Sequence, residues 1–422
     1  MKKRKILFVT YGGGHVDIVL QLLPHLATRS DIEAKVLALT TAAPKLAASG
    51  YSHLSCASFL SHHSYHEAVD IGATLSRPIW EPSVGVSWEE SCAYMGISMC
   101  DLIADEGREA AYSRYEREGR SAFCPVHFMR HVLKQEEVDV VVTTVHVRME
   151  RAAILAARDL GVTSARIDDL LGYSMLGPYG GSVLPRLLPE QEWPDHVVVL
   201  NDEVRARIVT EGFPGERVHP LGQPVFADWQ NAFNARTVSP ALQHWYTAKR
   251  PIVVYAATSI PGIFNAQFDK LLRIAEAHPD WGVCIKLHPS MSEQAAVGGR
   301  VHIPENVRIV SNEDIVGVVK GADVVIIDNS TVGFLCAFND VPLIVLDQVR
   351  SPYGNPLVTN GAAVGVNDLD ELEPALIKLI DSWPASDRQD GQSIFENPPN
   401  ASERIANWLS RIAANSEGHR PI

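Results

Sequence analysis

The chain alternates short, uninterrupted apolar runs with stretches of helical spacing. Residues 5–10 (KILFVT) form the first run. It lacks the in-out alternation of a half-exposed strand and fits a strand buried on both faces of a parallel sheet. Tyr11-Gly12-Gly13-Gly14-His15 follows as a turn. Over residues 16–28 the spacing becomes helical, with Val16, Val19, Leu20, Leu22, Leu23 and Leu26 on one broad apolar face. Further strands are predicted at 34–39, 138–143, 163–167 and 196–200. Residues 50–130 interrupt the alternation with Pro78, Pro82, Trp80, Trp88 and charged helical stretches such as 106–118. They read as an insertion that could shape an acceptor pocket.

Leu221-Gly222-Gln223-Pro224 is a tight turn, and no sheet pattern appears from there to Lys249. A second strand series then begins at 251–256 and continues at 283–287, 307–311, 324–327 and 343–346. A short helix precedes Val324, another starts near Val332, and helices at 369–380 and 402–413 complete the pattern. The alternation predicts an α/β class with two parallel sheets. The domains expected are 1–224 with an insertion around 50–130, a linker at 225–249, 250–400, and a closing helix and tail at 401–422.

Size and composition agree with this layout. The chain has 422 residues, enough for two or three cores, and its 46% hydrophobic and 21% charged residues are those of a globular protein. No apolar run approaches the roughly 20 residues of a membrane-spanning helix. The basic start, Met1-Lys2-Lys3-Arg4-Lys5, is followed by too short an apolar run for a signal peptide, and a cytoplasmic location is expected. The net charge of −13 argues against broad nucleic-acid binding but leaves room for a local basic pocket. The six cysteines include no CxxC pair, which fits a reducing compartment without structural zinc.

The chemistry is concentrated in loops at the carboxyl ends of predicted strands, where open α/β sheets bind ligands. Gly13 and Gly14 let the backbone approach a ligand at the start of a helix, with His15 beside them, although the spacing is not GxGxxG. The loop after 138–143 carries His146, Arg148, Glu150 and Arg151. Its two arginines could pair with an anionic substrate or be solvated helix-start residues. Asp168 and Asp169 end the strand 163–167, either as general-base candidates or with one of them as a cap. In the second half, Thr258, Ser259 and Gly262 occupy the loop that corresponds to Tyr11–His15. Lys286-Leu287-His288-Pro289 and Asp328-Asn329-Ser330-Thr331 end two strands expected to be neighbours. Hydroxyls and N–H groups at Ser330 and Thr331 suit a phosphate, while Ser330 equally fits a helix N-cap. The run Ser61-His62-His63-Ser64-Tyr65-His66 has no acidic or cysteine partner at ligand spacing, so no metal is expected there.

Two Rossmann-like halves, a linker and a closing C-terminal helix resemble the GT-B architecture of nucleotide-sugar enzymes, with two domains facing a cleft. The glycine turn ending in His15 resembles the first loop of the lipid II-forming N-acetylglucosaminyltransferase. Gly222-Gln223-Pro224 resembles the Gly-Asn-Pro turn of that group and of UDP-GlcNAc 2-epimerases. Lys286–Pro289 with Ser330-Thr331 resembles the His-Pro and Ser-Ser/Thr motifs of bacterial sialyltransferases and CDP-glycerol glycerophosphotransferases. The resemblance implies a glycosyltransferase that moves a sugar from a nucleotide-activated donor to the hydroxyl of a small-molecule or glycan acceptor, with no further cofactor and no nucleic-acid partner. It places Lys286, His288, Asn329, Ser330, Thr331 and the loop with Thr258, Ser259 and Gly262 at the donor. Gly13 and Gly14 are expected among the residues that bind the nucleotide co-substrate, His15 lies at the acceptor-side loop, and His15, Asp168 and Asp169 all remain candidates for the base. Phe334 and Leu335 stand where epimerases and many UDP-sugar transferases carry a ribose-binding glutamate. A CDP-alditol phosphotransferase is therefore an alternative. An epimerase-like enzyme and a catalytically silent binding protein rank behind it.

Overall fold

The computed structural model describes residues 3–82, 85–168, 188–210, 212–235, 237–238, 240–258, 260–288, 291–298, 302–328, 330–346, 355–359, 361–382 and 397–416. The chain divides into two compact units, Met1–Val225 with Asn397–Ile422, and Phe226–Glu396.

The first unit is built on six strands: β1 (Arg4–Thr10), β2 (Ile32–Ala38), β3 (Val140–Thr143), β4 (Thr163–Ile167), β5 (His196–Val199) and β6 (Val218–Pro220). All pair in parallel, in the order β2-β1-β3-β4-β5-β6. Ile6, Leu7, Phe8 and Val9 are each at most 1% exposed, so both faces of β1 are covered, as the unbroken apolar run requires. The helices are α1 (Gly14–Ala27), α2 (Ala42–Ala48), α3 (Ala68–Ser76), α4 (Trp88–Glu106), α5 (Arg108–Glu118), α6 (Val126–Gln135), α7 (Arg148–Leu160) and α8 (Asp202–Thr210). Helices α3 to α6 form the insertion. Within it α3 and α4 cross at backbone contact: a Cβ on Gly72 would lie 1.9 Å from the Cys92 carbonyl oxygen, and one on Gly96 would lie 1.7 Å from that of Ala68. Only glycine fits at either position.

Helix α9 (Pro224–Ala235) begins at the end of the first segment and runs into the second unit, which also contains α10 (Pro240–Ala248), α11 (Pro261–Ala277), α12 (Glu293–Val297), α13 (Ile315–Lys320), α14 (Val332–Phe338), α15 (Pro356–Thr359) and α16 (Leu372–Ser382). Helices α9 and α10 occupy the segment that reads as linker. The strands are β7 (Ile252–Ala256), β8 (Gly282–Lys286), β9 (Val307–Val310), β10 (Val324–Ile327), β11 (Leu343–Leu346) and β12 (Val364–Val366). They too are parallel, ordered β12-β11-β10-β7-β8-β9. This corrects one expectation. The strands before His288 and Ser330 are not neighbours, because β7 lies between β8 and β10. The chain lays β8 and β9 on one side of β7, then crosses to build β10 to β12 on the other. Strand β12 escapes sequence reading because Val364 and Gly365 are exposed and carry no apolar run.

Helix α17 (Ala401–Asn415) returns to the first unit, where it packs against α1 and β1. Its buried face is Ile405, Ala406, Trp408, Leu409 and Ala413. Each sheet therefore has a reversal of strand order, between β1 and β3 in one unit and between β7 and β10 in the other. Such switch points open a crevice at the carboxyl ends of the strands.

Candidate active site

In the first unit the reversal brings the loop after β1 beside the loop after β3. A Cβ on Gly12 would lie 1.8 Å from the Thr41 hydroxyl oxygen, so this loop is pressed against the turn after β2. Gly13 has φ +70°, the left-handed region that glycine tolerates. The turn delivers His15 into the first turn of α1.

Glu150, in the first turn of α7, is fully buried. Its carboxylate accepts the N–H of Tyr11 (3.3 Å), the N–H groups of Thr144 and Val145 (2.9 Å for the latter), and the Thr144 hydroxyl (3.1 Å). Burial pushes its pKa up to about 7, against the pull of His15 and of these donors. Burial lowers the pKa of His15, and Glu150 opposes that shift. Burial thus favours the unprotonated, proton-accepting imidazole, and Glu150, where ionised, opposes that shift by stabilising the cation that accepting a proton creates.

Arg148 completes this group. Its guanidinium lies 4.5 Å from the centroid of the Tyr11 ring. The Tyr11 hydroxyl is 3.0 Å from that of Tyr94 and accepts the Met149 N–H at 3.2 Å. Arg151 is engaged differently, by a two-pronged pairing with Glu192, which also contacts His146 at 3.2 Å. The His146 contact, then Arg151, holds Glu192 down at about 2.

Asp168 stands at the end of β4, with its side chain wholly buried against Arg166 at 3.5 Å. Its main-chain carbonyl accepts from the Gln223 amide at 3.2 Å. Of the three base candidates, His15 stands at the strand-order reversal and Asp168 one strand further on, at a buried ion pair. Asp169 lies outside the described residues. Glu150 was visible in the sequence, but a carboxylate in a helix's first turn ordinarily complements the helix dipole, and nothing local marked it as buried.

In the second unit, the loops after β7, β8 and β10 carry the residues that the sequence reading expects at the donor. The Thr258 N–H points to the Tyr255 hydroxyl at 3.4 Å, and a Cβ on Gly262 would meet open space. The Lys286 ammonium is buried, donating to the carbonyls of Leu287 (3.1 Å) and Ser311 (2.6 Å). Lys286 therefore fastens the β8 loop to the end of β9. His288 is exposed, although partial shielding of its ring, then the Lys286 charge, lowers its pKa. The Ser330 hydroxyl accepts the Val332 N–H at 3.3 Å, a turn contact one residue ahead of the N-cap position, which is Thr331 and makes no side-chain cap bond. Ser259, Pro289 and Asn329 lie outside the described residues. Asp328 opens the same loop as Ser330. It accepts from the Gln267 amide and lies 3.4 Å from the Tyr255 hydroxyl, and burial raises its pKa to about 6.

Among the described residues, no group of three His, Cys, Asp or Glu side chains could hold a metal ion. His62 accepts the Ser64 N–H at 3.3 Å, and its ring centroid lies 3.9 Å from that of His131. No described helix is long and apolar enough to cross a membrane.

No protein-family model matches the chain, and neither does any curated protein sequence. Solved structures do match. S. aureus MnaA with UDP aligns at TM-score 0.66 and 14% identity over 99% of both chains. The Methanocaldococcus jannaschii UDP-GlcNAc 2-epimerase with UDP-GlcNAc and UDP aligns at 0.60 and 12%, over 96% of this chain and 99% of that one. The glycosyltransferase of kitacinnamycin aligns at 0.56 and 14% over 100% of both. The fold is GT-B. Such low identities show the fold alone, and this GT-B chain shares it with epimerases and a glycosyltransferase alike.

Proposed function

We propose that this GT-B protein is a glycosyltransferase that uses a nucleotide-activated sugar. One arrangement carries the reading: His15 stands in the first turn of α1 at the strand-order reversal of the first unit, and the buried Glu150 is tied to the same loop through the Tyr11 N–H at 3.3 Å. In the reaction, the acceptor hydroxyl gives its proton to His15 as its oxygen bonds to the anomeric carbon. The bond from that carbon to the phosphate oxygen breaks, and the nucleotide leaves with the electron pair. Glu150 stabilises the imidazolium. The second unit holds the donor through His288, Ser330, Thr331 and the backbone around Thr258 and Gly262, with Ser259 and Asn329 in the same loops. Asp168, paired with Arg166, and Asp169 take second place to His15 as base.

Structures of the same fold solved with UDP or UDP-GlcNAc support a nucleotide sugar as the ligand class. They also support a second reading, an epimerase, since several of the similar structures are UDP-GlcNAc 2-epimerases. The test begins with thermal stabilisation by UDP, GDP, dTDP, CDP, CMP and ADP. A ligand at a hundred times its Kd adds about 2.7 kcal/mol, and preference for one base fixes the donor class. The corresponding donor is then incubated in D2O. Nucleotide release without deuterium at sugar C2 supports transfer, deuterium at C2 establishes epimerisation, and CMP release from a CDP-alditol establishes the phosphotransferase. Binding without turnover on any donor and acceptor would sink the enzyme reading.

A further inference from the structure

We infer that Arg148 is the anion-recognition residue of the first unit, so that the acceptor carries a carboxylate or phosphate beside the hydroxyl that reacts. The inference rests on the proposed transferase reading and adds a substrate class to it.

Three observations converge on this side chain. First, Arg148 has φ +47° at the start of α7. A branched or long L-residue seldom adopts that backbone, and where one does the surrounding structure holds it there for a reason. Here the conformation carries the guanidinium over the Tyr11 ring, at 4.5 Å, on the loop that also presents His15. Second, its position is braced. Tyr11 and Tyr94 are both buried, their hydroxyls lie 3.0 Å apart, and Tyr11 also receives the Met149 N–H. The guanidinium thus rests on a fixed aromatic platform, while the residue keeps part of its surface in solvent.

Third, its charge has no protein counter-ion among the described residues. Arg151 has Glu192 and Arg166 has Asp168, whereas among the described residues no carboxylate lies within ion-pair distance of Arg148. The nearby acid, Glu150, directs its oxygens to the N–H groups of Tyr11, Thr144 and Val145 and to the Thr144 hydroxyl. A planar, half-buried guanidinium on an aromatic face, without a carboxylate of its own, is suited to grip a planar carboxylate or a phosphate through two parallel N–H donors. Because the guanidinium and His15 meet on the same loop, the anion would sit close to the reacting hydroxyl.

The experiment compares the full-length protein with Arg148→Asn and Arg148→Lys. Asparagine tolerates the left-handed backbone, so the first variant removes the charge without adding strain. Thermal stabilisation is measured with UDP alone, then with glucuronate, glucose 6-phosphate or glucose in the presence of UDP. The expected result is that the two anionic sugars shift the wild type and glucose does not. Arg148→Asn should weaken the anionic shift by roughly tenfold or more, the scale of a lost charge-assisted hydrogen bond, with Arg148→Lys between. UDP affinity and the melting temperature without ligand should hold. Equal responses to glucose and to the anions, or an anionic response unchanged in Arg148→Asn, would overturn the inference. Loss of UDP affinity in Arg148→Asn would also overturn it by assigning the guanidinium to the donor phosphates. Absence of any nucleotide shift alongside an Arg148-dependent anionic shift would remove the transferase reading and leave the anion site standing.

Discussion

The Glu150 carboxylate accepts the backbone N–H of Tyr11 at 3.3 Å and thereby ties the first turn of α7 to the loop that ends in His15. A buried acid with a pKa near 7 carries a signed consequence for stability. The folded value lies above the unfolded one, so the stabilising contribution is complete below about pH 4.5 and is lost as pH rises to about 7. In Glu150→Gln this part of the pH dependence should vanish. The amide would also face N–H donors with an NH2 group, costing about 1–3 kcal/mol. If Glu150 steadies the imidazolium of His15, turnover should fall and the acid limb of its pH profile, where the base becomes protonated, should move. Melting curves from pH 4 to 8 on both proteins, with initial rates, check both effects. A wild-type-like pH profile in the variant would dissociate Glu150 from His15.

An opposite slope is built into the seat of the closing helix. His219 and His196 lie 3.2 Å apart, and Trp408 of α17 packs on the His219 ring at a centroid distance of 4.7 Å. Burial, then His196 and the charges of Arg205 and Arg411, lowers His219 to about 4. Its folded value is below the unfolded one, so the contribution is present above about pH 6.5 and is lost as pH falls toward 4. His219→Gln should flatten that acid-side fall in melting temperature. Trp fluorescence during acid titration reports whether α17 separates first.

How much of this was legible beforehand depends on the scale of the interaction. The unbroken apolar runs located β1, β7, β10 and β11, because burial on both faces is written into each segment by itself. The order of strands is not local: β10 joins the far side of β7 through long crossovers, so two loops that looked adjacent are separated by a third. The same limit governed the carboxylates. Asp168 stood out as half of an Asp-Asp pair, yet Arg166 two residues earlier shares its face of the strand and takes its charge. Glu150 looked ordinary because the groups that make it unusual, Tyr11 and His15, lie 139 and 135 positions away in the chain.

The glycines of the insertion give a prediction independent of any ligand. Alanine at Gly72 or Gly96 would place a methyl against the backbone oxygen of Cys92 or Ala68, and a backbone in mid-helix cannot yield as a side-chain tip can. The helices α3 and α4 would have to separate, at a cost of about 1–3 kcal/mol for each site. Chemical denaturation of each variant measures it. Because the two sites share one crossing, the double variant should cost less than the sum.

Lys286 and His288 stand two residues apart and should separate stability from binding. Lys286 donates to the carbonyls of Leu287 and Ser311 from a buried position, so Lys286→Met would leave both acceptors without that donor. The loss expected is about 1–3 kcal/mol of stability, read as a lower denaturation midpoint. His288 is exposed on the same loop, and His288→Ala should leave the midpoint near that of the wild type. If the donor nucleotide is held there, the same substitution should weaken nucleotide binding by roughly tenfold, the value of one good hydrogen bond to a charged group. Calorimetric titration with the nucleotide chosen by the thermal panel decides the matter. Unchanged affinity in His288→Ala would move the donor phosphates away from the β8 loop, whatever the stability of Lys286→Met.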